Sequence, residues 1–143
     1  MTKKIVLGVS SSIGLYKACE IVRGFQKAGV EVQVVMTPNA ARLISPLLFS
    51  SLAGTKTIVD TFEEPEARTI RHVALAKEIA LLCVAPATAN VIAKFAGGIA
   101  DDFLSTLFLA ASAPVLIAPA MNEAMYQDRK TQANIARLKA LGA

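Results

Sequence analysis

The chain has 143 residues, enough for one domain with a core of its own. Hydrophobic residues make up 54% of it, yet the longest apolar stretch, 107–121, is interrupted by Ser112, Pro114 and Pro119, which argues against a membrane span. The net charge of +4 comes from scattered bases, with no stripe interleaved with aromatics and no Trp, which argues against a nucleic-acid partner.

Ile5 to Val9 is a short apolar run and predicts a strand, followed by Ser10-Ser11-Ser12 as turn and cap. From Ile13 to Ala28 apolar residues recur at helical spacing, and Gly29 stops the helix. Residues 30–36 predict a second strand. Thr37 then caps a helix that opens on Pro38 and runs toward Leu43, and 46–53 form another short helix ending at Gly54. Residues 57–60 predict a brief third strand, and 63–71, charged and containing Pro65, an exposed loop. The fourth strand is expected over 79–85, ended by Pro86. A helix over 88–95 is broken by Gly97-Gly98. Asp101-Asp102 cap another through Ala111. A fifth strand covers 115–118, and 122–141 is helical in two pieces, with Gly142 as C-cap.

This alternation predicts an α/β fold, a doubly wound Rossmann-like or flavodoxin-like parallel sheet in three layers α/β/α, as a single domain over 1–143. Strands buried on both faces, together with subunit contacts, account for the apolar composition. A Gly-capped helix in such a fold normally feeds another strand, so the chain is expected to break off before its last one. Cys19 and Cys83 form no CxxC or Cys/His cluster, which predicts free thiols, no metal site and a reducing compartment. Met-Thr-Lys-Lys leads straight into a strand without a signal-peptide pattern, so a cytoplasmic protein is expected.

Three polar caps follow predicted strands. The turn Gly8 to Gly14 carries Ser10, Ser11 and Ser12 but neither the dinucleotide glycine fingerprint nor the phosphate-loop lysine. Thr37, with Asn39 just beyond it, and Thr88-Ala89-Asn90 occupy equivalent places. Each is explained by helix capping alone; three at the carboxyl ends of strands favour a mononucleotide site, with hydroxyls and amides for an FMN phosphate and ribityl chain. His72, the only histidine, is either a structural residue or a proton carrier near neutral pH. Asn122 stands where a helix should begin after the last strand. Its amide can serve a substrate, or it is a plain N-cap with Met121 and Met125 as core filler.

Together these residues resemble the flavin-dependent cysteine decarboxylases, most closely the branch acting on phosphopantothenoylcysteine in coenzyme A synthesis, over essentially the whole chain. The matching motifs are Ile5 to Ser10 with Tyr16-Lys17, His72-Val73-Ala74-Leu75, Pro86 to Asn90, Gly98 to Asp102, and Pro119 to Tyr126. Val91 stands where the family usually has Thr, and Ser11 and Ser12 where it often has Gly and another small residue. The resemblance implies a lyase with FMN bound between subunits of a homotrimer, which can assemble further into a dodecamer. It places Ser10, Ser11, Ser12, Thr37, Asn39, Thr88, Ala89, Asn90 and Ala118 at the cofactor. It makes His72 the catalytic base or proton relay, and has Asn122 bind the departing carboxylate with Met121 beside it. The implied chemistry is oxidation of the cysteine thiol to a thioaldehyde, loss of CO2, and reduction of the resulting enethiol, giving phosphopantetheine. A downstream flap with a reductive cysteine and, in bacteria, a fused ligase domain are implied beyond Ala143. Two alternatives stay open: a peptidyl-cysteine decarboxylase that stops at the enethiol, and a non-catalytic flavin-binding regulatory subunit. Flavin prenyltransferases lack the Pro-Ala-Met-Asn signature. A nicotinamide enzyme is disfavoured by the missing glycine fingerprint and ribose-binding acid.

Overall fold

The computed structural model describes residues 2–62 and 70–143. Strands β1 (Lys4–Val9), β2 (Glu31–Met36), β3 (Leu81–Ala87) and β4 (Val115–Pro119) form one parallel sheet in the order β2-β1-β3-β4. The apolar runs that predicted β1, β2 and β3 are buried on both faces because alternate side chains serve two cores. Leu7, Val9, Val34 and Cys83 pack toward α1 (Ala18–Lys27), α2 (Pro38–Leu43) and α3 (Pro46–Ala53). Val6, Val35, Leu82 and Val84 pack toward α4 (Arg71–Glu78), α5 (Ala89–Gly97), α6 (Phe103–Ala110) and α8 (Arg129–Ala140). The result is the expected three-layer α/β/α arrangement.

Local chemistry explains the element ends. Thr37, Thr88 and Asp102 each accept a backbone N–H with a side-chain oxygen, and each opens its helix there. Gly54 and Gly98 close α3 and α5 at φ of 74° and 70°, a conformation that favours glycine. Gly8 matters for another reason: a Cβ built on it would stand 2.7 Å from Leu104 Cδ1 and 3.3 Å from Val84 Cγ2. Its bare backbone lets α6 lie directly on the sheet.

Several expectations need correction. Residues 57–60 form no strand of the sheet; Ile58 makes one parallel bridge to Val35, with its N–H donating to Val34 and its carbonyl accepting from Met36. The segment is anchored by burying Ile58 rather than by a ladder. The helix expected from Ile13 begins instead as a 3-10 turn, Ile13–Lys17, capped by the Ser12 hydroxyl, and becomes α-helical at Ala18. Arg71 belongs to α4, an element not expected from the sequence, and not to the loop; residues 63–69 of that loop lie outside the described residues. The strand expected over 79–85 is β3, and Pro86 does not end it. The register with β4 shifts between Val84 and Ala87, and the Pro86 carbonyl is used by Ser10. The C-terminal helix comes in two pieces as expected, α7 (Glu123–Gln127) and α8, divided at Asp128.

Among the described residues β4 is the outermost strand of the sheet, with one covered face. Val115 and Ile117 pack against the α8 side, whereas Leu116, 54% exposed, points to the other face, where no described helix covers it. Among the described residues no helix is long and apolar enough to cross a membrane.

Candidate active site

The carboxyl ends of β1, β2 and β3 are tied together before any ligand is considered. Ser10 is fully buried; its hydroxyl donates to the Pro86 carbonyl at 2.7 Å and accepts from the Thr88 N–H at 2.9 Å. Its own N–H also reaches the Pro86 carbonyl. The Thr37 N–H donates to the Val9 carbonyl at 3.0 Å. Three strand ends are thus held in register, and the turn that follows each is held with them.

These turns enclose one crevice of about 140 Å³, lined by Ser11, Thr37, Asn39, Thr88, Asn90, Lys94 and their neighbours. Three caps far apart in the chain are therefore brought to one place, as the sequence suggested. The Thr37 hydroxyl accepts from Ala40 N–H at 3.1 Å and the Thr88 hydroxyl from Val91 N–H at 3.2 Å. A hydroxyl that accepts still has its own hydrogen to donate. With the Asn39 and Asn90 amides and the Lys94 ammonium, the donor set suits a phosphate. The volume is below the several hundred Å³ that a whole small-molecule ligand fills. A crevice of this size and lining has room for a small anionic group rather than for a whole ligand.

The other sequence-predicted residues separate into groups. Ser10 is too buried to touch a ligand and acts by holding the strand ends. Ser12 caps the 3-10 turn through Gly14 N–H at 3.3 Å. Ala89 is the first residue of α5. Ala118 and Asn122 are exposed at the end of β4, outside the crevice lining. They share its rim, because Ala120 N–H donates to the Ala87 carbonyl at 3.0 Å, next to Thr88. Asn122 caps α7, its Oδ1 accepting from Ala124 N–H at 2.9 Å, and Met121 packs against the α8-side core. His72 stands in the first turn of α4, half-buried, with its ring edge-on to Phe103 at a centroid distance of 6.2 Å. Phe103 directly follows Asp102, which lines the crevice. No hydrogen bond among the described residues joins His72 to Asn122. Burial pushes the thiols of Cys19 and Cys83 up from their ordinary value, and both are free.

Sequence reasoning missed the three charged lining residues, Lys94, Asp101 and Asp102. The signal was present. Lys94 lies four residues beyond Asn90 on α5, so both side chains share a helix face. Lys94 Nζ donates to Asp101 Oδ1 at 2.8 Å and lies 3.9 Å from Asp102 Oδ2. That hydrogen bond holds the Asp101 carboxyl below the usual carboxylate range. Asp102 is fixed by its capping box with Ser105, accepting from the Ser105 N–H at 2.8 Å.

The sequence matches the flavoprotein family over residues 1–143. It is 47% identical, over 136 residues, to a coenzyme A biosynthesis bifunctional protein of Bacillus subtilis, covering 95% of this chain and 34% of the relative. The chain thus spans about a third of that relative's length. It is 42% identical to a Streptococcus mutans protein named "Probable phosphopantothenoylcysteine decarboxylase", covering 99% of this chain and 80% of the relative. The crystal structure of the FMN-dependent cysteine decarboxylase SpaF superposes with a TM-score of 0.93 at 34% identity, covering 98% of this chain and 81% of that one.

Proposed function

The chain belongs to the flavoprotein family, and from that premise we propose that it is the FMN-dependent carboxy-lyase domain of a coenzyme A biosynthesis enzyme, acting on phosphopantothenoylcysteine. One observation carries the proposal: the polar caps after three strands converge with Lys94 on a single phosphate-sized crevice, on the same rim as the Asn122 turn. The names of the Bacillus subtilis and Streptococcus mutans relatives support this substrate, and favour it over a peptidyl cysteine. The bifunctional relative supports a parent chain with a fused ligase domain. A homotrimer, assembling further into a dodecamer, and a cytoplasmic setting belong to the same proposal.

Thr37, Asn39, Thr88, Asn90 and the Ser11 turn would hold the cofactor's phosphate, and Ala118, on the same rim, would also contact the cofactor. When bound, FMN supplies the two-electron oxidation that gives the carboxylate's departing electrons a place to go. The residues of this chain do the rest. Asn122 is held by its own cap, so its Oδ1 is occupied while the two N–H groups of Nδ2 remain for the substrate carboxylate. A neutral amide orients that carboxylate without the added ground-state stabilisation of a cation. Met121 gives the turn an apolar footing in the core. His72 is the proton carrier, its ring position set by Phe103.

Purified protein reconstituted with FMN should release CO2 from phosphopantothenoylcysteine, and His72→Asn should bind FMN normally while losing at least about a hundredfold in rate. Failure of the wild type to take up FMN would sink the flavin reading. Full activity in the variant would remove His72 from the mechanism, and CO2 release only from a Cys-terminated peptide would transfer the domain to that substrate class.

A further inference from the structure

The crevice assigned above to a phosphate has an unexpected wall. Two of its lining side chains, Asp101 and Asp102, are carboxylates, and Lys94 is the only cation among the described residues that line it. A phosphate monoester carries about −1.5 to −2 near neutral pH, so unopposed carboxylates would repel it. An ordinary exposed ion pair would have little consequence. This one faces the donors: Lys94 rises from α5 one turn beyond Asn90, two turns from the Thr88 cap, and its side chain is largely covered.

The two acids are not equivalent. Asp102 is locked, its Oδ1 receiving both the Ser105 N–H and the Ser105 hydroxyl, and it can only orient Lys94 from 3.9 Å. Asp101 makes the short contact, at 2.8 Å, yet its side chain is 58% exposed and can turn into water. An arriving phosphate therefore competes with Asp101 alone for the ammonium. We propose that Lys94 is the residue that selects the phosphorylated flavin over the unphosphorylated one, and that Asp101 opposes it, setting how tightly the cofactor is held. This rests on the flavin reading of the crevice. It adds a specificity residue and an antagonist that the three strand-end caps do not supply.

FMN and riboflavin are the probes, since they differ only in the phosphate. The flavin-free chain is titrated with each by flavin fluorescence, at low and at moderate salt. Lys94→Met should weaken FMN by about tenfold to a hundredfold, the loss of one charge-assisted hydrogen bond, and change riboflavin by less than about twofold. Asp101→Asn should act with the opposite sign, tightening FMN by about two- to fivefold and leaving riboflavin alone, most visibly at low salt. Lys94→Arg should keep most of the preference for FMN. Equal effects of Lys94→Met on both flavins, or weaker FMN binding in Asp101→Asn, would overturn the assignment. If Lys94→Met does not fold, the Asp101→Asn arm decides. Wild-type protein that binds neither flavin would instead sink the underlying flavin reading; wild type that binds FMN with Lys94→Met unchanged would sink only the role of Lys94.

Discussion

Asn122 serves two purposes that looked mutually exclusive in the sequence. Its Oδ1 accepts from Ala124 N–H, so it is a helix cap. Capping also fixes the amide and leaves the Nδ2 donors outward at the sheet rim, so it is a candidate ligand too. The two roles separate on substitution. Asn122→Asp keeps the cap, because aspartate is as good an N-cap and its charge suits a helix N-terminus, so stability should change by less than about 0.5 kcal/mol. It also replaces the donors with a negative charge facing the proposed carboxylate, and turnover should fall by about a hundredfold or more. Thermal melts and CO2 release read the two effects independently. Asn122→Asp with normal turnover would leave the residue a cap and nothing else.

The helices and strands were legible wherever one local rule acted. The cap-and-proline start of α2, the capped start and glycine stop of α5 and the two-piece C-terminal helix followed from cap chemistry and periodicity. The failures occurred where partners distant in sequence decide. β3 continues through Pro86 because Ser10, 76 residues away, uses the proline carbonyl. Residues 57–60 read as a brief strand, but only Ile58 meets β2. The crevice was half legible: the caps could be read one by one and the four-residue spacing of Asn90 and Lys94 was there to be read, whereas the approach of Asp101 to Lys94 depends on the turn after α5. Gly8 shows the same dependence, since nothing in its neighbours announces the close approach of α6. Gly8→Ala should destabilise the protein by about 1–3 kcal/mol, because Leu104 and Val84 are both buried and have little room to give. Denaturant melts test this, and an unchanged midpoint would show that α6 can lift off the sheet freely.

At the scale of the molecule, the apolar content exceeds what the two cores consume. Leu116 is 54% exposed on the uncovered face of β4, and Ile13 and Tyr16, in the 3-10 turn that packs near β3, are 90% and 59% exposed. An edge strand with a bare apolar face is a liability that proteins cover. The proposed trimer would cover it with a second copy of the chain, and it would do so on the side of the sheet that carries the 3-10 turn and α1. Leu116→Asp puts a charge in that face without touching either core, since the side chain already meets solvent in the isolated chain. The wild type should therefore run as a trimer by light scattering at micromolar concentration, and the variant as a monomer with unchanged far-ultraviolet circular dichroism. A monomeric wild type would remove the trimer from the proposal. A variant that remains trimeric would place the contact away from β4, leaving Ile13 and Tyr16 as the next residues to charge.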